Sequence, residues 1–204
     1  VTAVPRTTVG VLAVQGAFIE HERRLKRLGA RCVELRQARD LEQGFDRLVL
    51  PGGESTVQTK LLRDLGMLEP LRRRVADGMP VLATCAGLIL LAEQVEGQGA
   101  GCFGTLSVTV RRNAYGRQLG SFHTCAPLAL GLRAEKTATG APEPPCVPMT
   151  FIRAPVVTEV RGAAQVLARV DGAVVAVRQG GQIGLAFHPE LDDDTRVHEA
   201  FLEL

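Results

Sequence analysis

The feature that most limits the fold is a short, almost unbroken apolar run near the start, Thr8-Val9-Gly10-Val11-Leu12-Ala13-Val14, which ends at Gln15-Gly16. A strand with one wet face alternates apolar and polar residues, whereas this run is apolar on both faces and reads as a strand buried inside a parallel sheet. Parallel neighbours require a crossover, usually a helix, and the following residues supply one. Glu20 to Leu28 has a helical charge pattern, and Gly29 suits the left-handed position beyond a helix end. Arg31 to Leu35 reads as the second strand and Arg47 to Leu50 as the third, stopped by Pro51-Gly52-Gly53. Ser55 or Thr56 is placed to cap the next helix. Met67 to Asp77 is predicted helical and closed by Gly78, Pro80 to Thr84 is a fourth strand, and Ala86 to Gln94 continues as helix.

This alternation predicts an α/β fold, a three-layer, mostly parallel open sheet flanked by helices. With 204 residues, 46% of them apolar and 23% charged, the chain has enough material for one core, and a single domain over 1–204 is expected. Ligands in open parallel sheets bind beyond the carboxyl ends of the strands. Gln15-Gly16, Gly52-Gly53-Glu54 and Thr84-Cys85-Ala86-Gly87 all fall at that edge. Later, Thr105 to Arg111 alternates like an exposed strand, and Val174 to Arg178 with Ile183 to Phe187 forms a hairpin around Gly180-Gly181 that extends the sheet. Thr124 to Pro148 is rich in Pro, Ala and Gly with little periodicity and reads as a surface loop.

Composition excludes several roles. A net charge of +2, from 24 basic and 22 acidic residues, supplies no field that implies nucleic acid or membrane partners. The basic clusters at 23–27 and 72–74 read as solvated helix faces. The longest apolar stretch, Val81 to Ala92, is too short to cross a bilayer, and no signal-peptide pattern opens the chain, so a cytoplasmic location is expected. The first residue is Val1 and not Met, which is read as trimming or processing. Five cysteines (Cys32, Cys85, Cys102, Cys125, Cys146) are odd in number and lack a CxxC, which argues against a disulfide framework and against a zinc site.

Three segments carry chemistry. Cys85 sits where a buried strand turns into a helix, a setting that exposes sulfur at the sheet edge and favours thiolate at the helix N-terminus. A buried core cysteine fits the same position. In Phe187-His188-Pro189-Glu190, a strand end projects His188 toward that edge, and Glu190 is available to orient the ring; a surface turn with an ordinary ion pair is the bland alternative. His21, His123 and His198 are weaker candidates for a base. The Pro51-Gly52-Gly53-Glu54-Ser55 turn lacks the Lys-Ser/Thr pair of a phosphate loop. Its glycines can instead aim a backbone N–H at a developing oxyanion, alongside that of Ala86.

Ala83-Thr84-Cys85-Ala86-Gly87-Leu88, the Pro-Gly-Gly loop and the later His-Pro-Glu together resemble the class I, or triad, glutamine amidotransferases. Pro51-Gly52-Gly53-Glu54-Ser55-Thr56, Arg112-Asn113-Ala114-Tyr115-Gly116-Arg117-Gln118 and Phe151-Ile152-Arg153-Ala154-Pro155 narrow the resemblance to the glutaminase subunits of pyridoxal 5'-phosphate synthase. The same triad serves other synthases, such as those for anthranilate or imidazole glycerol phosphate, and the Arg112 and Phe151 segments weigh against them. A non-catalytic subunit that keeps the fold is a further alternative.

The resemblance implies a flavodoxin-like fold and a Cys85, His188, Glu190 triad. In it Cys85 attacks the side-chain amide of L-glutamine, His188 shuttles the proton to departing ammonia, and water hydrolyses the thioester to glutamate. It implies an oxyanion hole at Gly53 and Ala86, and glutamine-binding positions at Gly53, Glu54, Ser55, Arg112, Ile152 and Arg153. It further implies a synthase partner that receives the ammonia internally, docks near Gln15 and Gly16 and completes the oxyanion hole, with no cofactor or metal on this chain. One departure stands out: Ser121-Phe122 is followed by His123 where the family has an acidic residue, and the loop up to Phe151 is longer and richer in proline.

Overall fold

The computed structural model describes residues 7–113, 121–131, 135–136 and 142–204. The Ala114 to Gln118 part of the Arg112 motif, and parts of the 124–148 segment, lie outside the described residues.

The first half follows the expected alternation. Strands β1 (Thr8–Leu12), β2 (Arg31–Leu35), β3 (Arg47–Leu50) and β4 (Val81–Thr84) are connected through helices α1 (Phe18–Arg27), α2 (Ser55–Asp64) and α3 (Leu68–Ala76). Leu48, Val49, Leu50, Val81, Leu82 and Ala83 have no exposed surface, as strands covered on both faces must. Each fully buried Leu or Val contributes about 1.5–3 kcal/mol relative to its exposed state. Helix α1 presents Leu25 to the core and has Arg24, Lys26 and Arg27 in the last turn, where the helix dipole favours positive charge. The solvated face expected over 23–27 is corrected at Arg24, which is buried because its guanidinium donates to Glu190 O.

Two expected helix boundaries move. The N-cap of α2 is Glu54 and not Ser55 or Thr56: Glu54 is extended and its carboxylate accepts from the Val57 N–H, while Ser55 is buried in the first turn. Helix α4 (Ala86–Leu91) stops short of Gln94, and the chain continues as strand β5 (Ala92–Val95). The reason is non-local. Phe103 N–H donates to Leu90 O and Thr105 N–H to Leu91 O, so the returning chain takes carbonyls that another helical turn would have used.

The remaining elements are β6 (Gly99–Ala100), β7 (Leu106–Arg111), β8 (Ser121–Pro127), the two-residue strands β9 (Glu135–Lys136) and β10 (Pro142–Glu143), β11 (Cys146–Ile152), β12 (Val156–Val160), β13 (Gln165–Val170), β14 (Ala173–Gln179), β15 (Gln182–Leu185) and α5 (Arg196–Leu202). The main sheet runs β2-β1-β3-β4-β15-β14-β12-β7-β5-β6, with β13 paired to β14. The five strands from β2 to β15 are parallel, and β14 and β12 add the antiparallel extension that the Gly180-Gly181 hairpin predicted. Strand β7 lies between β12 and β5, so its alternation records one face packed on the core, with Leu106, Val108 and Val110 buried. Among the described residues no helix is long and apolar enough to cross a membrane.

The predicted loop over Thr124 to Pro148 is corrected at both ends. Strands β8 and β11 pair antiparallel from Ser121↔Ile152 to Cys146↔Pro127. Ala126, Val147, Met149 and Phe151 point inward, while Cys125, Pro127, Cys146 and Ile152 point out. The period of two is present but its outer positions hold Cys and Pro, residues that read as turn or loop. Proline is tolerated because this is a two-stranded sheet in which each strand has a free edge. The hairpin is anchored to the main sheet by His188 N–H donating to Thr150 O at 2.8 Å and by Phe151, which stacks on Phe122 and tilts against Phe187.

Because Met149 is fully buried on this hairpin, Met149→Ala is expected to lower stability by about 2–5 kcal/mol. Urea unfolding measures the loss; a change under about 0.5 kcal/mol, the size of a surface substitution, would restore the surface-loop reading.

Candidate active site

Three adjacent parallel strands deliver the site. Leu50 pairs with Ala83, and Leu185 with Thr84, so the residues just beyond β3, β4 and β15 emerge side by side: Gly52-Gly53, Cys85 and His188. The Cys85 N–H donates to Leu185 O at 2.8 Å, which fixes the turn between β4 and α4 against its neighbour. Cys85 adopts φ 47°, ψ −101°, a conformation an L-residue holds only where its surroundings enforce it.

Backbone strain marks the same place. Four non-glycine residues among those described have positive φ: Cys85, Asn113, Arg153 and Asp171. The first three line one cavity of about 140 Å³ with Gly53, Glu54, Ser55, Ala86, Ile89, Arg112 and Ile152. Eight of the residues singled out in the sequence are therefore brought together in one pocket. Gln15 and Gly16 are not in its wall; they stand behind the Gly52-Gly53 turn. Ile89 and Asn113 are additions, and Asn113 carries the αL conformation that asparagine tolerates.

His188 is buried between Cys85 and Glu190. Its Nδ1 lies 2.7 Å from Glu190 Oε1, so the carboxylate accepts the Nδ1 proton and Nε2 is left to face the sulfur. Burial works against a charged ring, but Cys85 and Glu190 outweigh it and push the His188 pKa up to about 10. Burial likewise raises the Glu190 carboxyl, yet the two histidines beside it, His21 and His188, hold it below the usual range. A cysteine attacks as the thiolate, and the imidazole beside the sulfur is placed to exchange its proton. The Cys85 Sγ lies 3.9 Å from Ile152 O, which places the sulfur at the pocket floor. A Cβ on Gly52 would come within 2.4 Å of the His188 ring, so only glycine lets the imidazole sit where it does.

The pocket wall is polar and positively charged. Arg112 donates to Glu54 Oε1 at 2.6 Å and to Thr56 Oγ1 at 3.1 Å. Burial raises the Glu54 carboxyl, but the amides of Val57 and Thr56 and the Arg112 charge bring it below its ordinary value. Arg153, on the opposite wall, makes no ion pair among the described residues. Behind the turn, Gln15 Oε1 accepts from Glu54 N–H, and Gln58 Nε2 donates to Gln15 O. The Ala17 N–H donates to Gly52 O at 3.0 Å.

His21 and His198, set aside as bases in the sequence, are fully buried directly behind Glu190. Their separation of 177 positions hides the pairing from any local pattern. Thr84, given no role of its own in the sequence reading, bridges Gly52 N–H and His21 through its hydroxyl. His123 is exposed on β8, with Nδ1 3.0 Å from Thr150 Oγ1, which donates to Asp192. No group of three His, Cys, Asp or Glu side chains among the described residues is arranged to hold a metal ion.

Comparison with known proteins gives a consistent result. Residues 11–204 match the SNO glutamine amidotransferase family. A pyridoxal 5'-phosphate synthase subunit PdxT from Desulfitobacterium hafniense is 55% identical over 196 residues, covering 96% of this chain and 92% of that protein. The protein of the same name from Methanocorpusculum labreanum is 54% identical, covering 96% of each chain. A crystal structure of a glutamine amidotransferase superposes with a TM-score of 0.82 at 40% identity, covering 96% of this chain and 97% of that one.

The His188 ring gives the fold a pH signature. Its folded pKa of about 10 lies above the ordinary value of 6.5, so its charge contributes stability fully below pH 6.5, and the contribution is lost as pH rises through about 10. Chemical unfolding of wild type and His188→Gln across this range should show the wild-type advantage shrinking with rising pH. A constant difference would mean the ring is not held protonated.

Proposed function

Since the chain belongs to the SNO glutamine amidotransferase family, we propose that it is the glutaminase subunit of a pyridoxal 5'-phosphate synthase, splitting L-glutamine into L-glutamate and ammonia at Cys85. The observation that carries this reading is the Cys85, His188, Glu190 constellation at the floor of a pocket that also holds Arg112 and Arg153. Relatives at 54–55% identity bear the name of that synthase's PdxT subunit.

The chemistry follows from the groups present. The Cys85 thiolate attacks the amide carbon of glutamine, and the carbonyl oxygen takes up the charge. The N–H groups of Ala86, at the start of α4, and of Gly53, both in the pocket lining, serve as the donors for that oxygen. The His188 Nε2 proton passes to the nitrogen as the C–N bond breaks, releasing ammonia and leaving a glutamyl thioester. Water then gives a proton back to His188 and attacks the thioester, so that glutamate leaves and the thiolate–imidazolium pair is restored. Throughout, Glu190 keeps the ring in the required tautomer. Arg112 and Arg153 supply charge-assisted donors for the α-carboxylate of glutamine, while Glu54, Ser55 and Ile152 complete the wall.

The ammonia is consumed by a synthase partner that docks near Gln15 and Gly16. What supports this is the grip of that loop on the oxyanion turn. The Gly52 carbonyl and the Gly53 N–H belong to one peptide plane and point in opposite directions. Ala17 holds the Gly52 carbonyl and Gln15 holds the Glu54 N–H, so the direction of the Gly53 N–H is set from the docking loop. Gly16, at φ +103°, brings that loop so close that a Cβ there would fall 1.9 Å from Gly52 O. A partner pressing on 15–17 therefore acts on the oxyanion donor without touching the nucleophile. The reading requires neither a cofactor nor a metal on this chain and places it in the cytoplasm with its partner.

Mixed with the synthase, the chain should release glutamate from glutamine, and Cys85→Ala should abolish this. Arg153→Ala should raise KM about tenfold or more with a smaller change in kcat, the pattern of lost substrate binding. Full turnover in Cys85→Ala, or recovery of a different acceptor synthase from cell extract, would displace the assignment.

A further inference from the structure

Resting on the glutaminase reading for its kinetic arm, we propose that His21 is a positioning residue of the triad, holding the second oxygen of Glu190 and, through Thr84, the amide of Gly52. Glu190 is almost fully buried, and its Oε1 is served by His188 at 2.7 Å. Among the described residues its Oε2 has no hydrogen-bond partner in good geometry, and His21 Nε2 lies beside it at 3.4 Å as an electrostatic contact. That same nitrogen lies 3.1 Å from Thr84 Oγ1, which accepts from Gly52 N–H at 3.1 Å. On the other side of the ring, His21 Nδ1 is 3.1 Å from His198 Nε2. Neither ring has any exposed surface.

The tautomers follow from the partners. Burial holds His21 below its ordinary pKa against the pull of Glu190, and burial together with the neighbouring His21 lowers His198 to about 3. Both rings are therefore neutral, with one proton each. The charges around them are Glu20 on α1, His188 and Glu190 beyond β15, and Arg24, which donates to Glu190 O and Asp193. A lone pair on His21 Nε2 would face the Glu190 carboxylate, whereas an N–H there faces it with the favourable sign. The proton belongs on Nε2, so His21 Nδ1 accepts from His198 Nε2–H. His198 Nδ1 is then an unprotonated nitrogen, in keeping with its having no partner. Donation thus runs one way, from His198 through His21 to the carboxylate.

This arrangement has a chemical consequence beyond packing. A donor on Oε2 fixes the plane of the carboxylate against His188 and stabilises its ionised form, and that form is what stabilises the His188 imidazolium and the Cys85 thiolate. An apolar ring of equal bulk in place of His21 would fill the space and leave a buried oxygen unserved.

His21→Leu removes the N–H, whereas His21→Gln returns an amide N–H near the position of Nε2. Two readouts separate positioning from mere folding. In the complex with the synthase, glutamate release should show kcat falling about tenfold in His21→Leu with KM changed less than about twofold, and His21→Gln recovering most of the loss. In the chain alone, the pH midpoint for alkylation of Cys85 by iodoacetamide should move upward in His21→Leu and return toward wild type in His21→Gln. His198→Leu should move both in the same direction by less, and with His21→Gln it carries the test where His21→Leu does not fold. Wild-type kcat and alkylation midpoint in His21→Leu, or equal losses in folded Leu and Gln variants, would overturn the proposal. A wild-type complex that releases no glutamate, beside an upward alkylation midpoint in His21→Leu, would sink the glutaminase reading and support the positioning role.

Discussion

Parallel pairing of β4 with β3 on one side and β15 on the other is the constraint from which the site follows. The three strands end at nearly one level, so the segments leaving them have no choice but to meet: Gly52 two residues past β3, Cys85 one past β4, His188 three past β15. The strands are covered on both faces, and apart from the Thr84 hydroxyl at the end of β4 they carry no polar group of the site. Their burial gives the turns a rigid floor, and a rigid floor is what allows Cys85 to be held at positive φ and Gly52 to be pressed against an imidazole.

Electrostatics then act in opposition to that same burial. Taking His188 and Glu190 out of water disfavours the charge of each, yet each supplies the counter-charge the other lacks, with Cys85 on the far side of the ring. The outcome is a ring held protonated well above neutral pH, reached by partners outweighing desolvation. Glu54 and Arg112 repeat the balance at the wall, where the N-cap of α2 and an ion pair lower a carboxyl that burial would raise.

Much of this was legible in the sequence because it is written in short range. Strands β2 and β3 fall on the predicted residues: β3 is an apolar run stopped by Pro51, and β2 alternates after the Gly29 that closes the preceding helix. The convergence of Cys85, His188 and Glu190 was legible through Cys85 at a strand–helix turn and through the two-residue spacing of His188 and Glu190. Other features were not, for physical reasons. The end of α4 depends on Phe103 and Thr105 taking its carbonyls from beyond the turn. The β8–β11 hairpin was masked because its outward positions are Cys and Pro. The burial of His21 against His198 joins the two ends of the chain, and nothing local in either helix announces it.

The β8–β11 hairpin, finally, divides labour within one pocket. Cys85, His188 and Glu190 stand on the main sheet or just beyond it, while Ile152 and Arg153, on the wall that faces them, extend from a separate two-stranded sheet. The two bodies meet through the Thr150 carbonyl and the Phe122–Phe151–Phe187 contacts. The pocket wall is therefore shared between two bodies, with Glu54, Ser55 and Arg112 on the main-sheet side and Ile152 and Arg153 on the hairpin. The hairpin also reaches Cys85 and His188, through the Ile152 carbonyl beside the sulfur and the Thr150 carbonyl on the His188 N–H, so a change in its seating is felt by the wall and the ring together.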